Sequence, residues 1–538
     1  MQAALIAIWA SIALGAAIGI WQRFTPEATG PVRSFALVAA GSVVTLSLLP
    51  HALLSKGALG LAVAALGFYA IPALDWLLRR GMARMPGSSP RLTVTYIGLL
   101  IHRIADGVAL SVDGHGFDVL FALGAHEVPI VALVVAMSAS EGLPKAFGRA
   151  ALLGLASTLG CWLVRALPGP LWHDWHGWVD ALSAGILGHV IAHELSAERV
   201  HGARRRALDL AGALLGLVLV CVPAAEAESE LPLQQLLLAR LLQAATPVAL
   251  GFAVTASLRA WTRPHNPWLF ARSVHPFAAG EARPDTIALS IGSLGWHWAL
   301  ARSIGAVLLV GLIALFPRTR AILRSRHDPS PVAPEASAAA WSENPSAPAR
   351  FWLALDGAIW STAGPLMLGL LLATYAEAFF PALRPQPPIS RAIGSAALVS
   401  LCVLGVAWTA RYSAAAATPI AAVLIGKGMP PALALGALWL GAATNAHVIA
   451  RLRARGSSLL RWCSIGALSS AVLGLAVLPA SLVVSPLAWV PDWLNWLSLA
   501  GLSALLGRQI WSVGVRHWLG SSLSIAAVEL EGQPGHLH

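Results

Sequence analysis

Apolar segments of about 20 residues recur along the 538-residue chain and are separated by short polar links. A helix of that length crosses about 30 Å of hydrocarbon. Only helices and closed barrels satisfy their backbone groups in lipid, and these segments lack the alternating pattern of barrel strands. The pattern therefore predicts an all-α polytopic membrane protein with about 14–16 transmembrane helices in two helical-bundle domains.

The predicted spans fall into two groups. Eight spans precede residue 225, at about 2–21, 34–54, 58–78, 92–112, 117–138, 148–166, 178–197 and 207–223. The second group begins near Leu231, at about 233–258, 286–316, 352–376, 392–410, 431–450, 464–484 and 493–514. The stretch 286–316 is either one long helix or two short ones, and two short helices keep the linker that follows on the cytoplasmic side.

The same pattern divides the chain into segments. We expect an eight-helix transmembrane domain over 1–225 and a second domain in two halves, 226–317 and 351–518. A stretch rich in Pro, Ala and Ser over 318–350 is typical of a flexible cytoplasmic linker, and residues 519–538 form a polar C-terminal tail.

Composition and charge agree with a membrane location. Hydrophobic residues make up 57% of the chain and charged residues 11%, whereas a soluble domain carries about a quarter charged residues. The net charge of +11 comes from basic residues in short links such as 79–91 and 199–206, while acidic residues occupy 226–230. This asymmetry is the positive-inside pattern of a multi-pass inner (plasma) membrane protein, so we expect the lipid bilayer, and no nucleic acid, as its partner.

Cysteine usage and loop motifs exclude several chemistries. The four cysteines are far apart and form no CxxC pair, so neither a disulfide framework nor a thiolate metal site is expected. No phosphate-binding glycine loop is present, so no cofactor is required, and any transport would be secondary or downhill.

Two adjacent predicted spans carry ionisable residues near their middles. The fourth span contains His102, Arg103 and Asp106, and the fifth contains His126 and Glu127. A charge near the bilayer centre costs about 2.5–3.5 kcal/mol even on the lenient insertion scale, so these side chains should face the bundle interior. Imidazole and carboxylate ligands suit zinc or another divalent transition metal. The alternative is a structural ion-pair network in which Arg103 neutralises Asp106 or Glu127.

These motifs resemble those of the ZIP metal transporters. HRIADG (102–107) and HEVPIV (126–131) are similar to that family's HNxxDG and HExPHE, and LSLLPHAL, ending at Leu53, and LSAGILGHVIAHELSAE (182–198) also match. The resemblance covers about 1–225. It implies eight spans with both termini outside and a divalent metal ion as substrate, with zinc expected first. By this resemblance the ligands are His102, Asp106, His126 and Glu127.

The departures from the ZIP pattern concern the metal site itself. Arg103 replaces the Asn of HNxxD, while Ile130 and Val131 replace the second His-Glu. A guanidinium cannot ligate a metal, although it can stand electrostatically for a second cation. A single-metal, weaker or altered site is therefore one interpretation, and an inactive site is the other.

Three further polar residues lie on the seventh predicted span. His189, His193 and Glu194 are spaced to share a helix face and could line a substrate pathway. An interior histidine satisfied by its tautomer explains each histidine about as well.

The second group of spans has its own motif. Thr418 and Pro419 interrupt an apolar run that closes at Lys427, and Asn445 follows in GAATN (441–445). Interrupted helices are where many transporters bind substrate, while close packing through small residues is the alternative. TPIAAVLIGKG (418–428) and GAATN resemble the permease family that includes copper/zinc and organoarsenical efflux proteins. That family's CSCG hairpin and second-half cysteine are absent here, so thiolate chemistry is not expected.

Together these observations predict a non-enzymatic transporter of divalent metal ions that works by alternating access. One rival is a degenerate pseudo-transporter that acts as a sensor or scaffold. Another is a permease for a non-metal solute such as an anion, which Arg103 and Lys427 would suit. An intramembrane enzyme is disfavoured because no HExxH spacing occurs. Direction of transport and assembly into a homo-oligomer stay open at this point.

Overall fold

The computed structural model describes most of the predicted helical regions. The described residues are 2–24, 29–81, 96–108 and 127–166 with single-residue gaps, 169–195, 200, 202–221, 233–261, 284–304, 346–379, 414–427 and 490–523. Across these ranges the chain is helical apart from turns at helix ends, and they contain no β-strand. The predicted all-α class is confirmed to that extent.

The chain forms two compact units. The first comprises Met1–Glu230 together with Ile510–Gly520, and the second comprises Leu231–Gln509 together with Ser521–His538. The predicted domain boundary at 317 lies outside the described residues.

All the described helices before residue 222 belong to the first unit. They are α1 (Gln2–Phe24), α2 (Thr29–Val43), α3 (Leu49–Lys56), α4 (Ala58–Gly81), α5 (Leu143–Ala166), α6 (Gly169–Glu194) and α7 (Ala203–Cys221). A π-helical turn, Val44–Leu48, joins α2 to α3, and Gly57, with φ 59°, ends α3. Further helical residues lie within 96–108 and 127–138. The helix α2 packs along α7, and α4 packs along α6.

Small residues bring two elements of the first unit into close contact. A Cβ atom on Gly107 would overlap the carbonyl oxygen of Ser157 in α5, and one on Gly160 of α5 would overlap the carbonyl oxygen of Ile104. The backbones therefore touch at both positions, as expected where glycine permits close helix approach. This contact fixes the segment 102–108, which carries the predicted site, against α5.

The described residues of the second unit include five named helices, the last of which continues beyond Gln509, where this unit ends. These are α8 (Leu233–Trp261), α9 (Pro284–Leu294), α10 (Ala347–Phe379), α11 (Ala414–Gly426) and α12 (Asp492–Val513). The helix α10 packs on α8 and α11, and α9 packs on α8 and α11. The first four residues of α10, 347–350, belong to the stretch 318–350 that was predicted to be a linker. A last helix, α13 (Val515–Leu523), follows Gly514 and belongs mainly to the first unit.

The predicted stretch 286–316 is broken near its start. The helix α9 ends at Leu294, Gly295 adopts φ 101°, and a second helical segment runs over 296–304. Positive φ is strained for residues with a Cβ atom, which explains the glycine. Of the two alternatives, one long helix is excluded at this point, and residues beyond 304 lie outside the described part.

Four helices in the described residues are long and apolar enough to cross a membrane. They run over Gly30–Lys56, Leu143–Leu163, Gln235–Leu258 and Ala347–Phe379. All four overlap spans predicted from the sequence, at 34–54, 148–166, 233–258 and 352–376.

Candidate functional site

The predicted polar cluster of the first unit is deeply buried. His102, Arg103, Asp106 and Glu127 each expose 4% or less of their surface. The segment 102–108 rests on α5 through glycine contacts, and Glu127 begins the helical residues that include buried Ile130 and Val131. The two predicted clusters therefore meet inside the unit, as their positions on adjacent spans indicated.

Arg103 forms the centre of this cluster. Its Nη1 atom lies 2.6 Å from Glu127 Oε1 and 3.2 Å from Asp106 Oδ2, and its Nη2 donates to the Glu127 backbone carbonyl at 3.5 Å. One guanidinium thus bridges two carboxylates from different segments. The ion-pair network that the sequence left as an alternative is present in the structure.

His102 and Asp106 form the second feature of the cluster. His102 Nε2 lies 3.4 Å from Asp106 Oδ2, the same carboxylate oxygen that faces Arg103. The i, i+4 spacing on one helix brings the two side chains together, as predicted.

A complete ligand shell is not assembled from the described residues alone. Among them, no group of three or more His, Cys, Asp or Glu side chains is close enough to hold a metal ion. His126, the remaining predicted ligand, lies outside the described residues. Within the part of the chain the structure describes, the arrangement is a histidine–aspartate pair beside an arginine held by two carboxylates.

The other predicted pathway residues of the first unit are on α6. His189 is buried and packs edge-on against Phe68, with ring centroids 5.4 Å apart, which matches the interior-histidine interpretation. His193 and Glu194 are in the last turn of α6, and their side chains lie outside the described part.

The predicted residues of the second unit lie in or next to α11. Thr418 is fully buried, Pro419 is inside the helix, and Lys427 follows its last residue. Asn445 lies outside the described residues. Pro419 has no backbone N–H to donate, but α11 runs through it without a break from Ala414 to Gly426.

Several buried polar residues were not singled out from the sequence. In the second unit these include Asp285, whose Oδ2 accepts a hydrogen bond of 3.0 Å from Thr362, and Arg302, which contacts Thr418. In the first unit, His51 Nδ1 lies 2.5 Å from Asp180 Oδ2. A charged residue inside a predicted apolar span was the available signal for Arg302 and Asp180, whereas Asp285 lies just before the predicted span 286–316.

Comparison with protein-family models, with curated proteins and with solved structures finds no match for this chain. The resemblances drawn from its motifs therefore stand on the residues themselves.

Proposed function

We propose that this chain is a multi-pass inner-membrane transporter of divalent metal ions, with zinc as its expected substrate. The cation would bind in the first unit, to His102, Asp106, His126 and Glu127. The apolar helices support a membrane location, and the motif resemblance to ZIP transporters supports the substrate class. No covalent chemistry is part of the proposal.

The distance between His102 Nε2 and Asp106 Oδ2 is the observation that supports the proposal most directly. Ligand atoms bound at about 2.0–2.1 Å to a tetrahedral zinc ion are about 3.3 Å apart. His102 Nε2 and Asp106 Oδ2 are 3.4 Å apart, so two ligands could receive the ion with little rearrangement. Both side chains are buried, where a divalent cation would gain most from direct ligation.

Arg103 sets the condition for cation binding. Its guanidinium contacts both carboxylates and would repel a divalent ion placed between them. Zinc would therefore bind only after the guanidinium withdraws from Asp106 Oδ2. In this proposal, exchange between guanidinium and cation accompanies the rocking of the helices in alternating access.

The short ion pair also favours a second candidate. A contact of 2.6 Å between Arg103 Nη1 and Glu127 Oε1 is what a permanently closed, structural site would have. The chain would then be a degenerate pseudo-transporter that acts as a sensor or scaffold. A permease for a non-metal solute would give the same result in zinc assays of the first unit.

Calorimetric titration of the purified full-length protein with zinc tests the proposal. We expect saturable binding that is lost in the His102→Ala/Asp106→Ala double variant and retained in His297→Ala, because His297 is exposed and belongs to the second unit. We also expect Arg103→Met to bind zinc more tightly, because it removes the competing cation. Absence of binding in the intact protein, with binding restored in Arg103→Met, would favour the pseudo-transporter.

A further inference from the structure

A buried arginine lies at the junction between α12 and α13, in the first unit. Arg516 is the second residue of α13 and exposes only 6% of its surface. Among the described residues, its Nε and Nη1 atoms have no hydrogen-bond acceptor, and no carboxylate forms an ion pair with it. A buried guanidinium without compensation is costly, so a group with negative charge is expected to complete this place.

The turn that carries Arg516 is held against the link between α6 and α7. The Val200 N–H donates to the Val513 carbonyl at 3.2 Å, and Gly514, with φ 92°, makes the turn into α13. A Cβ atom on Gly514 would come within 2.7 Å of the Val200 side chain, so both the conformation and the close contact require glycine. Arg516 is therefore held beside the link 199–206.

One buried carboxylate, that of Asp209 in α7, borders the same turn. Its Oδ2 accepts the Val515 N–H at 2.8 Å and its Oδ1 accepts the Ser34 hydroxyl, so both oxygens are engaged by uncharged donors. Arg206, three residues earlier on α7, donates through Nε to the Val200 carbonyl at 3.1 Å and brings a second guanidinium to the turn. Two arginines against one carboxylate leave the turn with an excess positive charge.

The turn lies at the end of the unit that we predict to face the cytoplasm. The link 199–206 contains four arginines, and the positive-inside rule assigns such a link to the cytoplasmic side. The cytoplasmic leaflet is rich in anionic phospholipids, and basic pockets between helices on that side bind their headgroups. A lipid phosphate is therefore the anion that the membrane itself supplies at the level of Arg516.

From these contacts we infer that the turn between α12 and α13 binds the phosphate group of an anionic phospholipid. Arg516 supplies a charge and a planar set of donors that match phosphate oxygens, and Arg206 adds to the local positive charge. The acyl chains of the lipid stay in the bilayer, so the turn has to hold only the headgroup. This lipid site shares no residue with the proposed zinc site and does not depend on transport of any ion.

Native mass spectrometry of the delipidated full-length protein, titrated with phosphatidylglycerol in a neutral detergent, tests the inference. We expect one lipid per chain to bind more tightly than all others. Phosphatidylcholine, whose headgroup has no net charge, should not replace it. Arg516→Gln removes the charge and should weaken this binding about thirtyfold, whereas Arg516→Lys, which keeps the charge but not the planar donors, should fall between the two.

A matched variant separates a defined site from the general charge of the link. Arg204→Gln removes the same charge from an exposed arginine of 199–206, and should weaken binding fivefold at most. Equal effects of Arg204→Gln and Arg516→Gln would mean that the lipid responds to diffuse charge, which contradicts the inference. Inorganic phosphate at the concentration of the lipid should not displace it, and displacement would identify a free anion as the ligand instead of a lipid.

Thermal unfolding gives a second measurement on the same proteins. Without phospholipid, Arg516→Gln should be at least as stable as the intact protein, because it buries no uncompensated charge. Phosphatidylglycerol should raise the melting temperature of the intact protein and leave that of Arg516→Gln unchanged. Equal shifts in both proteins, or no preference of the intact protein for phosphatidylglycerol over phosphatidylcholine, would overturn the inference. The comparison of the two lipids needs no variant, so it decides the question even if Arg516→Gln does not fold.

Discussion

Replacement of Arg103 by methionine should expose two buried carboxylates to each other. Glu127 Oε1 and Asp106 Oδ2 lie 2.6 and 3.2 Å from the same Nη1 atom, so they cannot be farther apart than the sum of these distances. At that limit their repulsion is about 3 kcal/mol for an effective dielectric constant of about 20. Loss of one partner from a buried ion pair costs about 3–5 kcal/mol, because the remaining charge is left buried without compensation.

The sign of the coupling energy between Arg103→Met and Glu127→Gln is a more specific prediction than the size of either single effect. Glu127→Gln on its own removes the negative charge that pairs with Arg103, but in the Arg103→Met background it removes the repulsion with Asp106. The double variant should therefore be more stable than Arg103→Met alone, with a coupling energy of about 2–3 kcal/mol.

A double-mutant cycle measures this coupling. Equilibrium unfolding in mixed micelles, followed by helical circular dichroism, gives the free energy of unfolding for the four proteins. If the two single changes add within about 0.5 kcal/mol, the guanidinium does not bridge the carboxylates and the described network is wrong.

Three other changes test the packing and the remaining polar contacts by the same unfolding measurement. Gly107→Ala should destabilise the first unit by about 2 kcal/mol or more, since its Cβ would overlap the α5 backbone, whereas Gly148→Ala, at an open position of α5, should be neutral or stabilising by about 0.5–1 kcal/mol. Asp209→Ala should cost about 1–2 kcal/mol and make α13 more sensitive to proteolysis, because this buried carboxylate accepts the Val515 N–H at 2.8 Å. Glu141→Gln should change stability by less than about 1 kcal/mol, because its ion pair with an arginine of α5 is partly exposed.

The fold class could be predicted because apolar runs of spanning length are a one-dimensional signal. The first cluster could also be predicted from the sequence alone, because His102 and Asp106 are four residues apart and the charges interrupt apolar spans. The sequence did not decide between a ligand site and an ion-pair network. That choice depends on the position of the flexible Arg103 side chain, which lies between Asp106 and Glu127.

The contacts of the buried polar residues of the second unit could not be predicted for a different reason. The contact between Arg302 and Thr418 joins residues 116 positions apart in the chain. The burial of Trp298, whose indole N–H has no acceptor among the described residues, is likewise a property of packing, since most tryptophans in such a chain are expected at membrane interfaces. Sequence spacing carries no information on either point.

Zinc uptake into proteoliposomes tests the central proposal most directly. Vesicles with the purified full-length protein should take up radiolabelled zinc in a saturable way. Asp106→Ala should abolish uptake, because the Asp106 carboxylate contacts both His102 and Arg103. Gly148→Ala serves as the matched control and should transport normally. Uptake equal to that of protein-free vesicles, or unchanged in Asp106→Ala, would contradict a zinc transporter with its site in the first unit.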